Sequence, residues 1–261
     1  MTPTLQANLD TALARGTVYQ CLAQACAYPG ETFIEALVQG AWLASLEDAM
    51  EALEVVDTCR ETLETLGIVQ PTIEPTALRN EYTRLFSNTA LSDFPPYGAD
   101  YLASHIFMKA QSLADVAGFY RAFGVEVAAG TERPDHISAE LEFMAYLCFK
   151  QAYAAESGLP EAFEITTAAQ RRFLVAHVGR WAPLFLKRFA MVSAQPFYRA
   201  LASFAQMFLS REAMRLSVAP EPIFELPPDA PVAGDFTCGG GEGQCPLVQE
   251  GWAGDSRREG R

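Results

Sequence analysis

The segment Ile137-Ser-Ala-Glu-Leu-Glu-Phe-Met-Ala-Tyr-Leu-Cys148 carries the pattern that decides the fold. Its apolar residues recur at spacings of three and four positions and so share one face of an α-helix: Ile137, Leu141, Met144 and Cys148. Comparable stripes recur at residues 46–66, 106–120, 174–189 and 197–208. Alternating β-branched runs bounded by turn residues, the signature of strands, are not convincing anywhere in the sequence. The sequence therefore predicts an all-α protein.

Clusters of proline and glycine separate the apolar stripes and divide the chain into successive helices. The spacing predicts a single-domain helical bundle of about seven to ten helices over residues 1–218. Beyond residue 218 the chain is rich in proline and carries Cys238-Gly-Gly-Gly-Glu-Gly-Gln-Cys245. This composition buries too little apolar surface to order itself, which predicts a flexible C-terminal tail over residues 219–261.

The charge balance is acidic. The 261-residue chain has 32 Asp plus Glu against 19 Lys plus Arg, and its formal net charge is -13. Such a field repels nucleic acid and anionic lipid and favours cationic partners. It equally serves solubility, so charge alone does not decide between partners. We expect no nucleic-acid partner.

The N-terminal segment Met1-Thr-Pro-Thr-Leu-Gln-Ala-Asn-Leu-Asp10 has neither a basic start nor an apolar run, so we expect no secretory signal. No stretch approaches the roughly 20 apolar residues needed to cross a bilayer, which argues against stable membrane insertion. Six cysteines are scattered along the chain: Cys21, Cys26, Cys59, Cys148, Cys238 and Cys245. We expect reduced thiols, the first four buried, in a cytoplasmic protein.

Catalytic and metal-binding patterns are weak in this sequence. It has three histidines, His105, His136 and His177, and none belongs to a two-histidine metal spacing. It has no G-x-S-x-G nucleophile turn and no G-x-x-x-x-G-K-[ST] phosphate loop. The pair of tail cysteines makes a poor zinc site. We therefore predict no catalytic residue, no metal and no cofactor, and expect that the protein is not an enzyme.

The segment Glu132-Arg-Pro-Asp-His136 looks like the start of a helix. Pro134 suits the first helical position, Asp135 suits the N-terminal dipole, and His136 would be a first-turn surface group. Alternatively, Asp135 and His136 form the rim of a pocket. His136, Glu140 and Phe143 then share a helix face, where a carboxylate and a ring could hold a guanidinium group. The local spacing alone favours the simpler helix start.

Two further segments carry rings beside predicted helix ends. Tyr82, Leu85 and Phe86 form an apolar set at helical spacing, which on its own is more often core than binding site. Pro95-Pro-Tyr-Gly98 is a rigid loop that leads into a helix. Its Tyr97 could contact a bound peptide or could pin the loop to the bundle, and the sequence leaves both open.

Four segments in register resemble one known family: Glu81-Tyr-Thr-Arg-Leu-Phe86, Pro95-Pro-Tyr-Gly98, Ala117-Gly-Phe-Tyr-Arg-Ala-Phe-Gly124 and Pro134-Asp-His-Ile-Ser-Ala-Glu-Leu-Glu-Phe-Met-Ala-Tyr-Leu147. Together they are similar to the TorD/DmsD family of redox-enzyme maturation chaperones. The resemblance covers about the central quarter of the chain, and the helical pattern elsewhere is compatible with it. It implies an all-α fold and a chaperone that holds a client enzyme in the cytoplasm.

The implied client is a molybdopterin-dependent oxidoreductase. The chaperone would bind the twin-arginine signal peptide of its catalytic subunit and assist cofactor insertion and assembly of the apo form before Tat export. A NarJ-like chaperone that grips a non-exported subunit is the nearest alternative. A helical metal-dependent hydrolase using Asp135 and His136 is a more distant one. The oligomeric state stays open between a monomer and a homodimer.

The resemblance also implies which residues bind the leader. Leu85 and Phe86 match an aromatic-x-x-leucine-phenylalanine motif, and Glu132, Asp135 and His136 match an acidic-histidine motif. The loop motif adds Pro96, Tyr97 and Gly98. Helix spacing adds Tyr82 and Glu140. Where this chain has Tyr97 the family often has tryptophan, which leaves room for a different client preference.

Overall fold

The computed structural model describes residues 3–54, 57–86, 95–103, 106–128 and 132–226. Over these ranges the chain forms eleven α-helices, one 3-10 helix at Gln70–Thr72 and no strand. The helices are α1 Pro3–Ala25, α2 Glu31–Val38, α3 Ala41–Ala52, α4 Asp57–Val69, α5 Pro75–Phe86, α6 Ala99–Leu102, α7 Ile106–Ala122, α8 Ile137–Glu156, α9 Pro160–Ala176, α10 Val178–Val192 and α11 Pro196–Arg215. The all-α prediction is confirmed, with more helices than expected.

Two of the apolar stripes cross helix boundaries that the sequence pattern did not reveal. The stripe at residues 46–66 is divided because α3 ends at Ala52 and Glu54 takes a left-handed φ of 49°. The stripe at residues 174–189 is divided at His177, whose φ of -125° and ψ of -107° are not helical. Gly179 is needed there, because a Cβ atom would collide with the Leu174 carbonyl oxygen.

The core is a set of aromatic rings held between long helices. Helix α1 packs along α8, α8 packs against α9, and α10 packs against α11. The largest rings of this core have almost no exposed surface: Trp181, Phe173, Phe185, Phe189, Phe197 and Phe204. Burying each such side chain stabilises the fold by about 1.5–3 kcal/mol. The periodicity therefore predicted burial correctly for the stripes at residues 174–189 and 197–208. In the stripe at residues 106–120, Tyr120 is buried but Ala110 is exposed and Leu113 is half-buried.

One polar network lies inside this core. The single Nε–H of the Arg15 guanidinium is shared between the two Glu212 carboxylate oxygens, each 2.9 Å from Nε, and Nη2 donates to Oε2 at 2.6 Å. It also donates to the side-chain oxygens of Gln151 at 3.1 Å and Gln170 at 2.6 Å. Arg15 and Glu212 are 3% and 2% exposed. The network joins α1, α8, α9 and α11 at one point.

Cys21, Cys26 and Cys148 are buried free thiols, as expected, whereas the Cys59 side chain lies outside the described residues.

Residues 219–226, at the start of the predicted tail, contact the bundle, and the Ile223 N–H donates to the Arg180 carbonyl at 3.0 Å. The rest of the tail lies outside the described residues, and its boundary stays a prediction. No described helix is long and apolar enough to cross a membrane.

Candidate functional site

The proline-tyrosine loop and the start of α8 are joined by backbone hydrogen bonds. The Gly98 N–H donates to the Asp135 carbonyl at 2.8 Å, and the Ile137 N–H donates to the Pro96 carbonyl at 2.9 Å. Tyr97 and His136 form an isolated antiparallel bridge between them. Two of the motifs singled out in the sequence therefore form one continuous piece of structure.

The third motif, on α5, reaches the same place through its rings. Tyr82 stacks on Phe86 with ring centroids 4.3 Å apart, and Phe86 lies 6.1 Å from the His136 ring. The His136 ring in turn packs at 5.4 Å from Tyr97. Tyr82, Leu85 and Phe86 are buried, so they act as packing beneath the loop rather than as an exposed contact surface.

Gly98 occupies a position with no room for a side chain. A Cβ atom there would lie 2.8 Å from the Trp181 indole nitrogen and 2.9 Å from Glu140 Oε1. Glu140 is fully buried, and its Oε2 accepts a hydrogen bond of 3.1 Å from that indole N–H. Burial raises the pKa of Glu140 well above its usual value. Because Glu140 has no exposed surface, it supports the loop from below and does not contact a ligand in the groove.

Asp135 is also fully buried, and its partners are already in place. Its Oδ2 accepts from the Ala99 N–H at 3.0 Å, at the start of α6. Arg133 donates to both of its oxygens, from Nε to Oδ1 at 2.9 Å and from Nη2 to Oδ2 at 2.7 Å. The Arg133 guanidinium carbon lies 4.2 Å from the centre of the Tyr97 ring. The alternative that the sequence left open put a guanidinium on the helix face of His136, Glu140 and Phe143. The structure instead holds the chain's own Arg133 between Asp135 and Tyr97.

His136 is the N-cap residue of α8 and is not the surface group that a simple helix start would give. Its Nδ1 accepts from the Ser138 N–H at 3.2 Å and contacts Ser138 Oγ at 2.7 Å. The rings of Phe86 and Tyr97 cover it, leaving 1% of the residue exposed. Burial, reinforced by the nearby positive charge of Arg133, lowers the pKa of His136 to about 4. The imidazole is therefore neutral at physiological pH.

Glu132 links this buried cluster to the surface. Its carboxylate accepts a hydrogen bond of 3.2 Å from the Tyr97 hydroxyl, while the rest of the residue is exposed. Burial and the adjacent Glu132 charge raise the pKa of Tyr97, which keeps the hydroxyl protonated. Among the ten predicted site residues, Tyr97 and Glu132 are those that retain appreciable exposed surface.

Glu132 also lines an open groove of about 450 Å³ between the loop after α7 and the first turns of α8. Apolar side chains form much of its surface: Tyr120, Val125, Val127, Phe143 and Tyr146. Three carboxylates lie around it, on Glu126, Glu132 and Glu142. An adjoining cavity of about 430 Å³ shares Ser138, Glu142 and Tyr146 and extends to α1. Sequence reasoning assigned no role to Glu126, which lies outside the motifs, or to Glu142, which lies within the segment 134–147.

Residues 45–187 match the family model described as nitrate reductase delta subunit. The chain belongs to this family. The matched region contains the three motifs of the buried cluster and the groove beside them. Within the ranges that the structure describes, no group of three or more His, Cys, Asp or Glu side chains is arranged to hold a metal ion.

Three curated proteins are also similar in sequence to this chain. The perchlorate reductase assembly chaperone protein of Dechloromonas aromatica (strain RCB) is 31% identical over 77% of this chain and 89% of its own length. The chlorate reductase assembly chaperone protein of Ideonella dechloratans is 32% identical over 47% of this chain and 62% of its own. The selenate reductase assembly chaperone protein of Thauera selenatis is 26% identical over 70% and 81%.

These comparisons confirm the resemblance to redox-enzyme maturation chaperones. They also confirm that the protein is not an enzyme, because its family relatives are assembly chaperones. They do not test which residues bind a client. The assignment of the ten site residues therefore stays a prediction, sharpened by the geometry above.

Proposed function

We propose that this protein is a cytoplasmic assembly chaperone that binds the twin-arginine signal peptide of a molybdopterin-dependent oxidoreductase subunit. It assists cofactor insertion and assembly before Tat export. The observation that carries the proposal is the apolar groove ringed by Glu126, Glu132 and Glu142. The names of the curated relatives, assembly chaperone proteins for perchlorate, chlorate and selenate reductases, support a client of the reductase class.

The chemistry of a twin-arginine leader complements this groove. Such a leader offers two guanidinium groups followed by an apolar segment that forms a helix. Aromatic and aliphatic side chains of the groove would cover the apolar segment in the manner of a helix in a groove. The surrounding carboxylates would pair with the arginines, and the net charge of -13 would raise the rate of encounter.

The buried motif residues have an indirect part in this proposal. Phe86 and His136 pack beneath Tyr97, and Gly98 allows the loop to approach Glu140. These contacts hold Tyr97 in place, and Tyr97 in turn donates to Glu132, which lines the groove. Leader binding would therefore depend on the motifs even though most of their side chains do not meet solvent.

Calorimetric titration of the full chain with a synthetic peptide tests the proposal. The peptide carries two consecutive arginines followed by an apolar helix-forming segment, and a control peptide carries two lysines. We expect Glu126→Gln combined with Glu142→Gln to weaken binding of the arginine peptide by about tenfold, because each exposed ion pair is worth up to about 1 kcal/mol. Higher salt would weaken binding of the wild type in the same direction.

A matched control lies in a second acidic cavity, between α3 and α4, lined by Glu47, Glu51, Glu54 and Glu64. Glu47→Gln combined with Glu51→Gln makes the same change of net charge away from the groove. This control should bind the peptide as the wild type does. Equal losses in both double variants would refute the groove and leave only a general charge effect.

A second candidate function is a chaperone that grips the terminus of a subunit that is not exported. The description of the matched family as nitrate reductase delta subunit favours keeping it. The same groove would then receive an amphipathic terminal helix without paired arginines. A peptide of that kind that binds as tightly as the arginine peptide, with no preference for arginine over lysine, would support this second function over the first.

A further inference from the structure

Arg133 occupies a site built for a guanidinium group. Its fork meets both oxygens of Asp135, and its plane lies over the Tyr97 ring at 4.2 Å. A third contact, Nη1 to Asp100 Oδ2, measures 3.6 Å. Paired carboxylate contacts and an aromatic face suit arginine far better than lysine, whose ammonium is a point charge. Tyr97 and Asp135 are also held by contacts that do not involve Arg133, to Glu132 and to the Ala99 N–H respectively.

The walls are fixed, whereas the occupant is exposed. Asp135 is fully buried and also accepts from the Ala99 N–H. The Arg133 side chain, by contrast, is 38% exposed. Its backbone is held on the C-terminal side, because Pro134 restricts its conformation and the His136 N–H donates to the Arg133 carbonyl at 3.0 Å. Rotation of the Arg133 side chain alone is therefore enough to empty the site.

We propose that this site is a guanidinium-binding subsite, in which an arginine of a bound leader replaces Arg133 between Tyr97, Asp135 and Asp100. The identity of the incoming ligand rests on the proposed function, whereas the existence of the subsite does not. The subsite lies next to the groove, since Tyr97 donates to Glu132 and Glu132 lines the groove. One arginine of the pair would enter the subsite and the other would meet the exposed carboxylates.

The contacts of Asp135 favour exchange over simple addition. Arg133 already donates to both Asp135 oxygens, and Oδ2 also accepts from the Ala99 N–H. Asp100 is paired with Lys109, whose Nζ lies 2.6 Å from its Oδ1. A second guanidinium therefore finds no paired carboxylate position in the subsite until Arg133 leaves, while exchange leaves the charge of the site unchanged. The conformational freedom that the incoming arginine loses is regained by the displaced Arg133, which also gives up its own contacts. The subsite would therefore contribute selectivity more than affinity.

Chemical rescue tests the subsite without a peptide. The probe is ethylguanidinium added to the full-length Arg133→Ala variant, with ethylammonium at matched ionic strength as the control. We expect ethylguanidinium to raise the melting temperature of the variant saturably and to leave the wild type, whose site is filled, without that rise. Arg133→Ser serves as a second variant if Arg133→Ala does not fold. A folded variant that shows no saturable rise with ethylguanidinium would overturn the subsite.

Peptide titration then tests the exchange. Without its internal competitor, Arg133→Ala should bind the twin-arginine peptide about threefold to tenfold more tightly than the wild type. The gain should vanish with the lysine peptide and when Asp135→Asn is added. Binding by Arg133→Ala that is equal to or weaker than that of the wild type would refute exchange. If ethylguanidinium rescues the variant while neither protein binds the peptide, the subsite stands and the proposed leader function fails.

Discussion

Arg15 and Arg133 each pair with a buried carboxylate, in opposite surroundings. Arg15 is 3% exposed and donates to Glu212 and two glutamines that come from three other helices. Arg133 is 38% exposed and pairs with Asp135, only two residues along the chain. The first arrangement ties four helices together. The second places one exposed cation over a fixed anion.

The two pairs differ in what would happen to the carboxylate if its arginine moved away. Moving Arg15 would leave the Glu212 charge inside the core, far from water, which is the costly way to break a buried ion pair. Moving Arg133 would let water or another cation reach Asp135 from the surface. An arginine–carboxylate pair therefore forms a permanent structural contact in one place and, in our proposal, an exchangeable one in the other.

The largest expected effect comes from Arg15→Met, which keeps an unbranched apolar stem and removes the charged guanidinium group. We expect the free energy of unfolding to fall by about 3–5 kcal/mol, because Glu212 loses its principal partner inside the core. Urea denaturation at neutral pH measures it. Adding Glu212→Met should recover a good part of the loss. A fall below about 1 kcal/mol would show that the network does not depend on Arg15.

The second largest effect is a change in the free energy of unfolding with pH, and it comes from His136, which packs against Tyr97 beneath Arg133. The folded-state pKa of His136 is about 4, below its ordinary value of 6.5, so the folded protein resists protonation of this group. The contribution of the neutral His136 to the free energy of unfolding is fully present above pH 6.5. It is lost as the pH falls from 6.5 to about 4. The loss is on the order of 3 kcal/mol, at about 1.4 kcal/mol for each pKa unit.

His136→Asn is the comparison variant for this pH effect, because asparagine keeps an N-cap acceptor for the Ser138 N–H and does not titrate. The difference in unfolding free energy between wild type and variant should change over that pH interval and stay constant above it. A constant difference throughout would show that His136 titrates normally.

The smallest effect is expected from Arg133→Met, the same substitution as at Arg15. We expect a fall of about 1 kcal/mol, because the cation is partly exposed and water takes its place beside Asp135. Urea denaturation under the conditions used for Arg15→Met gives a direct ratio of the two effects. A loss as large as that at Arg15 would make Arg133 a structural residue and contradict its exchange.

Much of the fold could be predicted from the sequence because burial follows apolar spacing. Leu174, Val178 and Trp181 are all fully buried, as their spacing required. The interruption between α9 and α10 could not be predicted, because it depends on how closely Gly179 approaches the Leu174 carbonyl. That approach is a property of the folded backbone and produces no periodic pattern in the amino-acid sequence.

The site was predictable to a similar degree. The motif resemblance selected Tyr97, Asp135 and His136, and the structure brings them together. The resemblance could not reveal that Asp135 is already paired with Arg133, since that pairing depends on side-chain direction within a short loop. Nor could it single out Trp181, whose indole meets Glu140 only after α8 and α10 have packed.

The backbone bonds that join the loop at Gly98 to the start of α8 also set when the site can exist during synthesis. The loop must wait for residues 135–137, and the Glu140 carboxyl beneath it must wait for Trp181 on α10. Contacts between such distant parts of a chain form late, since long loops must first close. A nascent chain that ends before α10 thus lacks the complete site. The proposed client site would therefore be complete only after α10 has been synthesised.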